Sequence, residues 1–392
     1  MSEEFDEIRQ RVREFIDGEV IPAEPEMDAG GEAGTARLNS LRAEAKKRGL
    51  WALGHPKEIG GGGLSFMQTA LLNEVIGRSF YGQKAVGTWS MQDSLMLMEN
   101  ASDEQREKWL KPLVAADIRS SVGLTEPEVA GSDPTLIAST AVLDGDEWVI
   151  NAHKWFTTGA NIAAFTTIFA VTDPDAGRHG RVSAIIVPTD TPGYEVVRTV
   201  PTLGTTQTIM GDHCEIRLTD VRVPKSNLLG ERGTGFVIGQ RRLGPGRIFH
   251  AMRWLGQMER AFEIMVDYTK KRYTHGSYLS EKGQIQAMIA ESAQDIYYHR
   301  AAVLEAARTV DTGSMARQEI AIIKVRGAKL LHDVVDRAVQ VHGALGITPD
   351  TPLDAMLRRA RYARIYDGPD ETHRGTLAKL IDRDITRVPW NQ

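Results

Sequence analysis

The chain has 392 residues, of which 42% are hydrophobic and 25% charged, and it contains one cysteine. This predicts a soluble, globular protein of two or three domains, long enough to bury a core without covalent staples. A net charge of −5 excludes a broad electrostatic nucleic-acid binder, and the lone Cys214 excludes an internal disulfide framework and fits a reducing, cytoplasmic compartment.

The opening MSEEFDEIRQRVREFI is acidic and amphipathic, which matches neither a secretory signal nor a transit peptide. No apolar run is long enough to span a bilayer. Up to about residue 118 helical spacing dominates, in FDEIRQRVREFI, LNSLRAEAKKRGLWAL, FMQTALLNEVIGRSF and DEQREKWLKPLVAAD. Ser102 is placed to cap the last of these. EIGGGGLS lacks the glycine spacing of a dinucleotide fingerprint and reads as a flexible turn.

Residues 119–230 change period. STAVLDGDEWVINAHKWFT has two strand-like arms around an Asp-Gly turn. FTTIFAVTD, RVSAIIVP, YEVVRTV and HCEIRLTDVRV follow as short β runs, which predicts a small barrel or sandwich. Cys214 lies in the last run, where a small buried side chain is a commoner role than a nucleophile. From about 231 to 392 the helices return. Ile285, Ile289, Ser292, Ile296, Val303, Ala307 and Val310 form one stripe with a single polar gap. Ile320, Ile323, Gly327, Leu330, Val334, Ala338 and Val341 form another, as in an antiparallel bundle.

The chain has no HExxH, CxxC, GxSxG or P-loop motif, and no metal-ligand spacing. Three segments stand out instead. GLTEPEVAGSD has small and hydroxyl residues that let backbone N–H groups approach a ligand; alone it is an ordinary turn. HKWFTTGA puts a Trp beside hydroxyls at a strand end, where a core Trp is the commoner explanation. RIYDGPDETHR concentrates acids around a Gly-Pro, and in isolation its Asp367 is a turn-former.

Taken together with VRVPKSNLLGERGTGF, KRYTHG and AVQVHGALG, these segments resemble the acyl-CoA dehydrogenase family, in order and over nearly the whole chain. RLGPGRI, EVAGSD and DGPDETH look closest to a branch with Asp-Gly-Pro at the base motif. The resemblance implies an N-terminal α-helical domain, a middle β domain and a C-terminal four-helix bundle. It also implies an FAD held between the β domain and the bundle, usually in a homotetramer, with electrons passing to an electron-transfer flavoprotein. The activity implied is α,β-desaturation of an acyl-CoA: a base takes the α-proton while a hydride leaves the β-carbon for flavin N5.

Carried over position by position, Asp367 falls where most members have the catalytic Glu. Arg247 aligns with an arginine near the thioester site, as a positioning charge or as a buried ion pair shaping its loop. Leu124, Thr125 and Ser132 fall on flavin and pyrophosphate contacts, and Trp155 and Thr157 flank the isoalloxazine. Arg272, His275, Gln340, Gly343 and Ala344 align with groups that meet the adenosine-diphosphate part of a neighbouring subunit's FAD. Glu371 aligns with a flavin-contacting Gln.

Several positions depart from the family pattern. Asp is one methylene shorter than Glu, roughly 1.5 Å of reach. Gly244 stands where many members have an Asp that touches pantetheine, and glycines in this loop predict a wide pocket for a bulky, branched or oxygenated acyl chain. Pro369 replaces a Thr, Gly283 replaces a flavin-contacting Gln, HKW lacks one residue before the Trp, and TEPEVAGSD carries one extra. Arg358, Arg359, Arg361 and Arg364 read as a solvated face or an oligomer contact. An oxidase of the same fold, of the nitroalkane-oxidase type, and a catalytically silent FAD-binding subunit are the rival readings.

Overall fold

The computed structural model describes residues 2–204, 209 and 211–388; the remaining positions of the three expected spans lie outside these. The chain begins with helices α1 (Glu3–Phe15), α2 (Gly31–Lys47), α3 (Phe66–Ile76) and α4 (Met91–Asn100). Strands follow: β1 (Ser120–Gly123), β2 (Thr140–Asp144), β3 (Glu147–Thr158), β4 (Phe165–Val171), β5 (Val182–Pro188), β6 (Tyr194–Thr199), β7 (His213–Pro224) and β8 (Leu228–Leu229). Helices α5 (Gly235–Lys271), α6 (Gly283–Asp311), α7 (Arg317–His342), α8 (Leu353–Tyr362) and α9 (Asp370–Arg383) complete it. The expected order of helices, strands and helices is therefore present. The chain packs as two compact units, neither continuous in sequence. One comprises Met1–Pro22, Ser65–Gln83 and Gly244–Gln392; the other comprises Ala23–Leu64 and Lys84–Leu243.

The second unit is built on one eight-stranded sheet in the order β6-β7-β3-β2-β4-β5-β8, with β1 parallel to β4. All seven residues of β4 are buried, and alternate ones serve different cores. Phe165, Phe169 and Val171 join Leu97, Trp109 and Leu113 on one face. Ile168 and Ala170 join Trp148, Ile150, Ile216 and Val223 on the other. Cys214 is fully buried in that second core, its thiol donating to Asp212 O at 3.5 Å. Ser102 and Gln105 form a reciprocal cap, Ser102 Oγ accepting from Gln105 N while Gln105 Oε1 accepts from Ser102 N.

The glycine run is not the flexible turn its composition predicts. Gly61, Gly62 and Gly63 donate to Pro56 O, Ala52 O and His55 O. A Cβ on Gly61 would sit 2.1 Å from His55 O, so the residue type is set by close packing rather than by mobility.

In the first unit the α7 stripe is buried at every expected position. The polar gap in the α6 stripe is filled by His299, 2% exposed, whose ring lies where a Cβ on Gly327 would come within 2.1 Å. A glycine on one helix thus admits an imidazole from the next. Helix α5 also differs from expectation. The Gly244-Pro245-Gly246 stretch is helical, with Pro245 inside a 37-residue helix. The proline removes the donor that would bond the carbonyl four residues back, and its neighbouring glycines relieve crowding there.

Helices α3 and α5 cross with backbones in near contact. A Cβ on Gly256 would be 2.1 Å from Glu74 O, and one on Gly77 would be 2.4 Å from Arg253 Cα. Gly256→Ala must push the helices apart, an overpacking cost of about 2–3 kcal/mol; urea denaturation followed by far-UV circular dichroism reads it. Burial pushes His55, His299 and His373 down to about 4 from 6.5. Protons then bind the unfolded chain preferentially between pH 6.5 and 4, so stability is full above this window and falls as pH drops through it. His299→Leu is expected to flatten the acid limb of a stability-versus-pH profile; an unchanged limb counts against a buried neutral ring.

Candidate active site

The segment Tyr366–Asp370 turns sharply between α8 and α9. Asp367 has φ 54° and Gly368 φ 98°, both left-handed. Asp tolerates this region better than most side chains because its short polar group bonds locally. Gly368 has little choice, since a Cβ there would meet His373 Nε2 at 2.8 Å. The turn is tied from three sides. Arg247 Nε donates to Asp367 O at 2.9 Å, and His373 Nε2 lies 3.2 Å from the same oxygen. Lys324, fully buried, donates from Nζ to Ala363 O at 2.8 Å and Gly368 O at 3.3 Å. Burial lowers the Lys324 ammonium to about 8 even with Asp367 and Asp370 nearby. Asp370, 1% exposed, accepts from Arg364 Nε at 2.8 Å.

The Asp367 carboxyl group is 21% exposed, and its Oδ2 lies 3.2 Å from His250 Nε2. On the other side of that ring, Arg253 Nη2 is 2.9 Å from His250 Nδ1. A guanidinium has only donors, so Nδ1 accepts, the ring proton sits on Nε2, and that side of the ring faces Asp367 Oδ2. Burial, followed by the Arg253 charge, pushes the imidazole below its ordinary value despite Asp367, which keeps it neutral at physiological pH. Arg253 is itself lowered by burial, to about 10, and so stays charged; its Nη1 donates to Asn73 Oδ1 at 2.9 Å, while Asn73 Nδ2 donates to Thr69 O. Hydrogen bonds link Thr69, Asn73, Arg253 and His250 in one run from α3, and Asp367 Oδ2 lies beside its end. Trp254 Nε1 donates to Tyr366 OH at 2.8 Å and closes the side next to the turn.

In the second unit, GLTEPEVAGSD is anchored by a buried ion pair. Lys154, fully buried, donates from Nζ to Glu126 Oε1 at 2.7 Å, Phe169 O at 2.7 Å and Leu124 O at 3.3 Å. Glu126 also accepts from the Ala138 and Ser139 N–H groups. Burial raises this carboxyl, but Lys154 and these donors bring it below its ordinary value. Trp155 N donates to Thr125 O at 3.1 Å, laying the segment along β3. Register against β7 then breaks between Lys154 and Thr157, and Phe156 takes φ 50°. This bulge re-aims Trp155 and Thr157. Trp155 Nε1 and Thr157 Oγ1 are buried, yet neither has a hydrogen-bond partner among the described residues. Two orphaned donors on one bulged strand fit a flat heteroaromatic ring bearing acceptors, as a flavin does. Ser132 is exposed on the loop beyond.

Arg272, His275, Gln340, Gly343 and Ala344 are all exposed. The chain brings them to one end of the first unit, because Tyr268 near the end of α5 stacks on His342 at the end of α7, with centroids 4.1 Å apart. Glu371 is exposed and lies 3.3 Å from Arg374. The arginine run is not a plain solvated face: Arg359 covers the Phe80 ring at 3.6 Å, and Arg364 bonds Asp370. The sequence reading missed His250, Arg253, Lys324 and His373. The available signal was the run Arg247, His250, Arg253, three polar residues at helical i, i+3 steps inside the apolar RIFHAMRWL.

Family models describe three parts of this chain: the acyl-CoA dehydrogenase N-terminal domain over residues 2–117, the middle domain over 121–221 and the C-terminal domain over 233–381. The chain is 40% identical to the Mycobacterium tuberculosis protein named "Probable acyl-CoA dehydrogenase FadE2", over 97% of this chain and 95% of that one. It is 37% identical to mouse acyl-CoA dehydrogenase family member 10 over 97% of its own length, but spans only 37% of that longer protein. A Mycobacterium abscessus structure described as an acyl-CoA dehydrogenase superposes with a TM-score of 0.91 at 38% identity, covering 98% of this chain and 99% of that one. With its three parts matched in order, the chain belongs to the acyl-CoA dehydrogenase family of oxidoreductases.

Proposed function

We propose that this enzyme desaturates an acyl-CoA thioester between its α- and β-carbons, with Asp367 as the general base and FAD as the cofactor. The carrying observation is the Asp367 carboxyl group, partly exposed on a braced turn, with Oδ2 3.2 Å from the neutral His250. A base must be ionised, oriented and not over-stabilised. A neutral imidazole beside a carboxylate draws it toward the ionised form less strongly than a guanidinium in the same place would. Arg253 supplies the compensating charge one ring further away. Arg247, His373 and Lys324 hold the turn's carbonyls, so the carboxylate is aimed by a braced backbone.

FAD, when bound, supplies the acceptor for the hydride that leaves the β-carbon. Trp155 Nε1 and Thr157 Oγ1 would bond its ring, with Leu124, Thr125 and Ser132 meeting its ring and pyrophosphate. Arg272, His275, Gln340, Gly343 and Ala344 would meet the adenosine-diphosphate portion held by a neighbouring copy. Their shared exposure supports this, and we take the enzyme to be a cytoplasmic homotetramer that passes electrons to an electron-transfer flavoprotein. Glu371, paired with Arg374, would reach the flavin only by giving up that partner. A Cβ on Gly244 would meet nothing within 4 Å, which supports a roomy acyl site and a bulky, branched or oxygenated chain.

Asp367→Asn is expected to slow anaerobic flavin bleaching by acyl-CoA by about 10²–10⁴-fold, the usual worth of a general base, with FAD content unchanged. Bleaching that survives removes Asp367 from the role. Bleaching by nitroalkanes, with none by any thioester, makes the enzyme an oxidase. His250→Ala is expected to lower kcat by about tenfold to a hundredfold with KM little altered, because loss of the ring beside it lets the carboxylate shift by up to about 1 Å. A rise in KM alone would show that His250 shapes binding instead.

A further inference from the structure

A second charged site lies wholly within the second unit, away from the flavin segment. Arg42, Lys84, Arg119, Trp51, Trp89 and Ser120 line a small cleft that opens to solvent. Its walls are fixed. Trp51 Nε1 donates to Val114 O at 3.0 Å, and the indole lies against Gly87, φ 75°, where a Cβ would come within 2.6 Å of the ring. Arg42 Nε donates to Lys84 O at 3.1 Å and its Nη1 donates to Asn39 Oδ1 at 3.0 Å. Lys84, 2% exposed, places Nζ 3.5 Å from the centre of the Trp89 ring, and Trp89 stands 37% exposed.

Three basic side chains therefore line one small cleft. Among the described residues no carboxylate lies within ion-pair distance of Arg42 or Arg119. None of the lining residues is an acid; Ser120 Oγ donates to Asp93, which is itself paired with Arg242 at 2.7 Å. Burial, and then mutual repulsion, depress Arg42 to about 9 and Lys84 well below its ordinary value; burial alone depresses Arg119. Like charges gathered in a partly dry cleft are costly unless an anion joins them. Planar guanidinium forks beside an ammonium match the oxygens of a carboxylate or phosphate.

We infer that the cleft formed by Arg42, Lys84 and Arg119 is a binding site for a small oxyanion, a carboxylate or a phosphate group. Arg119 directly precedes β1, which leads into Leu124 and Thr125. Five residues of extended chain span roughly 16 Å, so the anion sits one strand length from the flavin segment. It can arrive free or as the far end of an organic molecule, and the two sources are separable.

The holoenzyme is titrated with sodium phosphate at constant ionic strength, reading tryptophan fluorescence and thermal shift without any thioester present. A parallel titration compares a dicarboxylic acyl-CoA with the monocarboxylic acyl-CoA of equal chain length. Arg119→Gln and Arg42→Gln are measured beside wild type, with FAD absorbance as the check on folding. Arg119 is only half-buried and tolerates replacement better than Arg42; Arg119→Lys is the conservative control. Saturable phosphate binding that weakens about tenfold or more in Arg119→Gln and recovers in Arg119→Lys supports a site for free anions. Preference for the dicarboxylic thioester, lost in Arg119→Gln, supports a site for a carried anion. If neither phosphate nor the dicarboxylic thioester distinguishes wild type from Arg119→Gln, the inference is overturned. The phosphate arm needs no turnover, so its result is independent of Asp367 and the proposed reaction.

Discussion

An arginine can donate hydrogen bonds but cannot accept them, and at the carboxylate turn this chemical asymmetry sets the order of every polar group. Because Arg253 points at His250 Nδ1, the ring has only one place for its proton, and that proton faces Asp367. The carboxylate then faces a neutral ring while a full positive charge stands behind it. If the arginine touched Asp367 directly, the attraction would hold the carboxylate ionised and weaken it as a base. If the arginine were absent, the ring could turn over and present a lone pair to a carboxylate. The intervening imidazole resolves both problems.

That chain of bonds depends on how closely two helices approach. Arg253 bonds Asn73 because α3 and α5 cross at Gly77 and Gly256 with almost no side chain between them. The glycines look like weak points in long helices, yet they set the distance over which the site is braced. Lys324 and Lys154 play parallel parts in their own units. Each is a fully buried ammonium that gathers backbone carbonyls, Ala363 and Gly368 in one case, Leu124 and Phe169 in the other. Burying a lysine is expensive, and several good acceptors in fixed places offset the cost. Both lysines sit beneath segments that carry the proposed chemistry, where rigidity is of most use.

Much was legible beforehand where a local pattern maps directly onto local structure. The α7 stripe is buried as its spacing requires, because a helix with one apolar face has few ways to pack. The β4 run reads as a strand, and all its residues are buried because the sheet has a core on each face. Asp367 stood out through its Gly-Pro neighbours. The glycine run was misread because composition signals freedom of the backbone but not the neighbours that exploit it. The gap in the α6 stripe was misread because a histidine counts as polar, whereas His299 packs against Gly327 as a core ring. Gly244-Pro245-Gly246 was expected as a loop, yet helix length on both sides outweighs one missing hydrogen bond.

The sequence by itself determined the order of helices, strands and helices, since this rests on short-range pattern, and its motifs carried the resemblance to the family. Only the tertiary structure decided which side chains serve that acid. Arg253 and His250 come from a helix and Asp367 from a turn more than a hundred positions further along the sequence. A hydrogen-bond direction, a tautomer and an ionisation state exist only once such groups are brought within bonding distance and away from water.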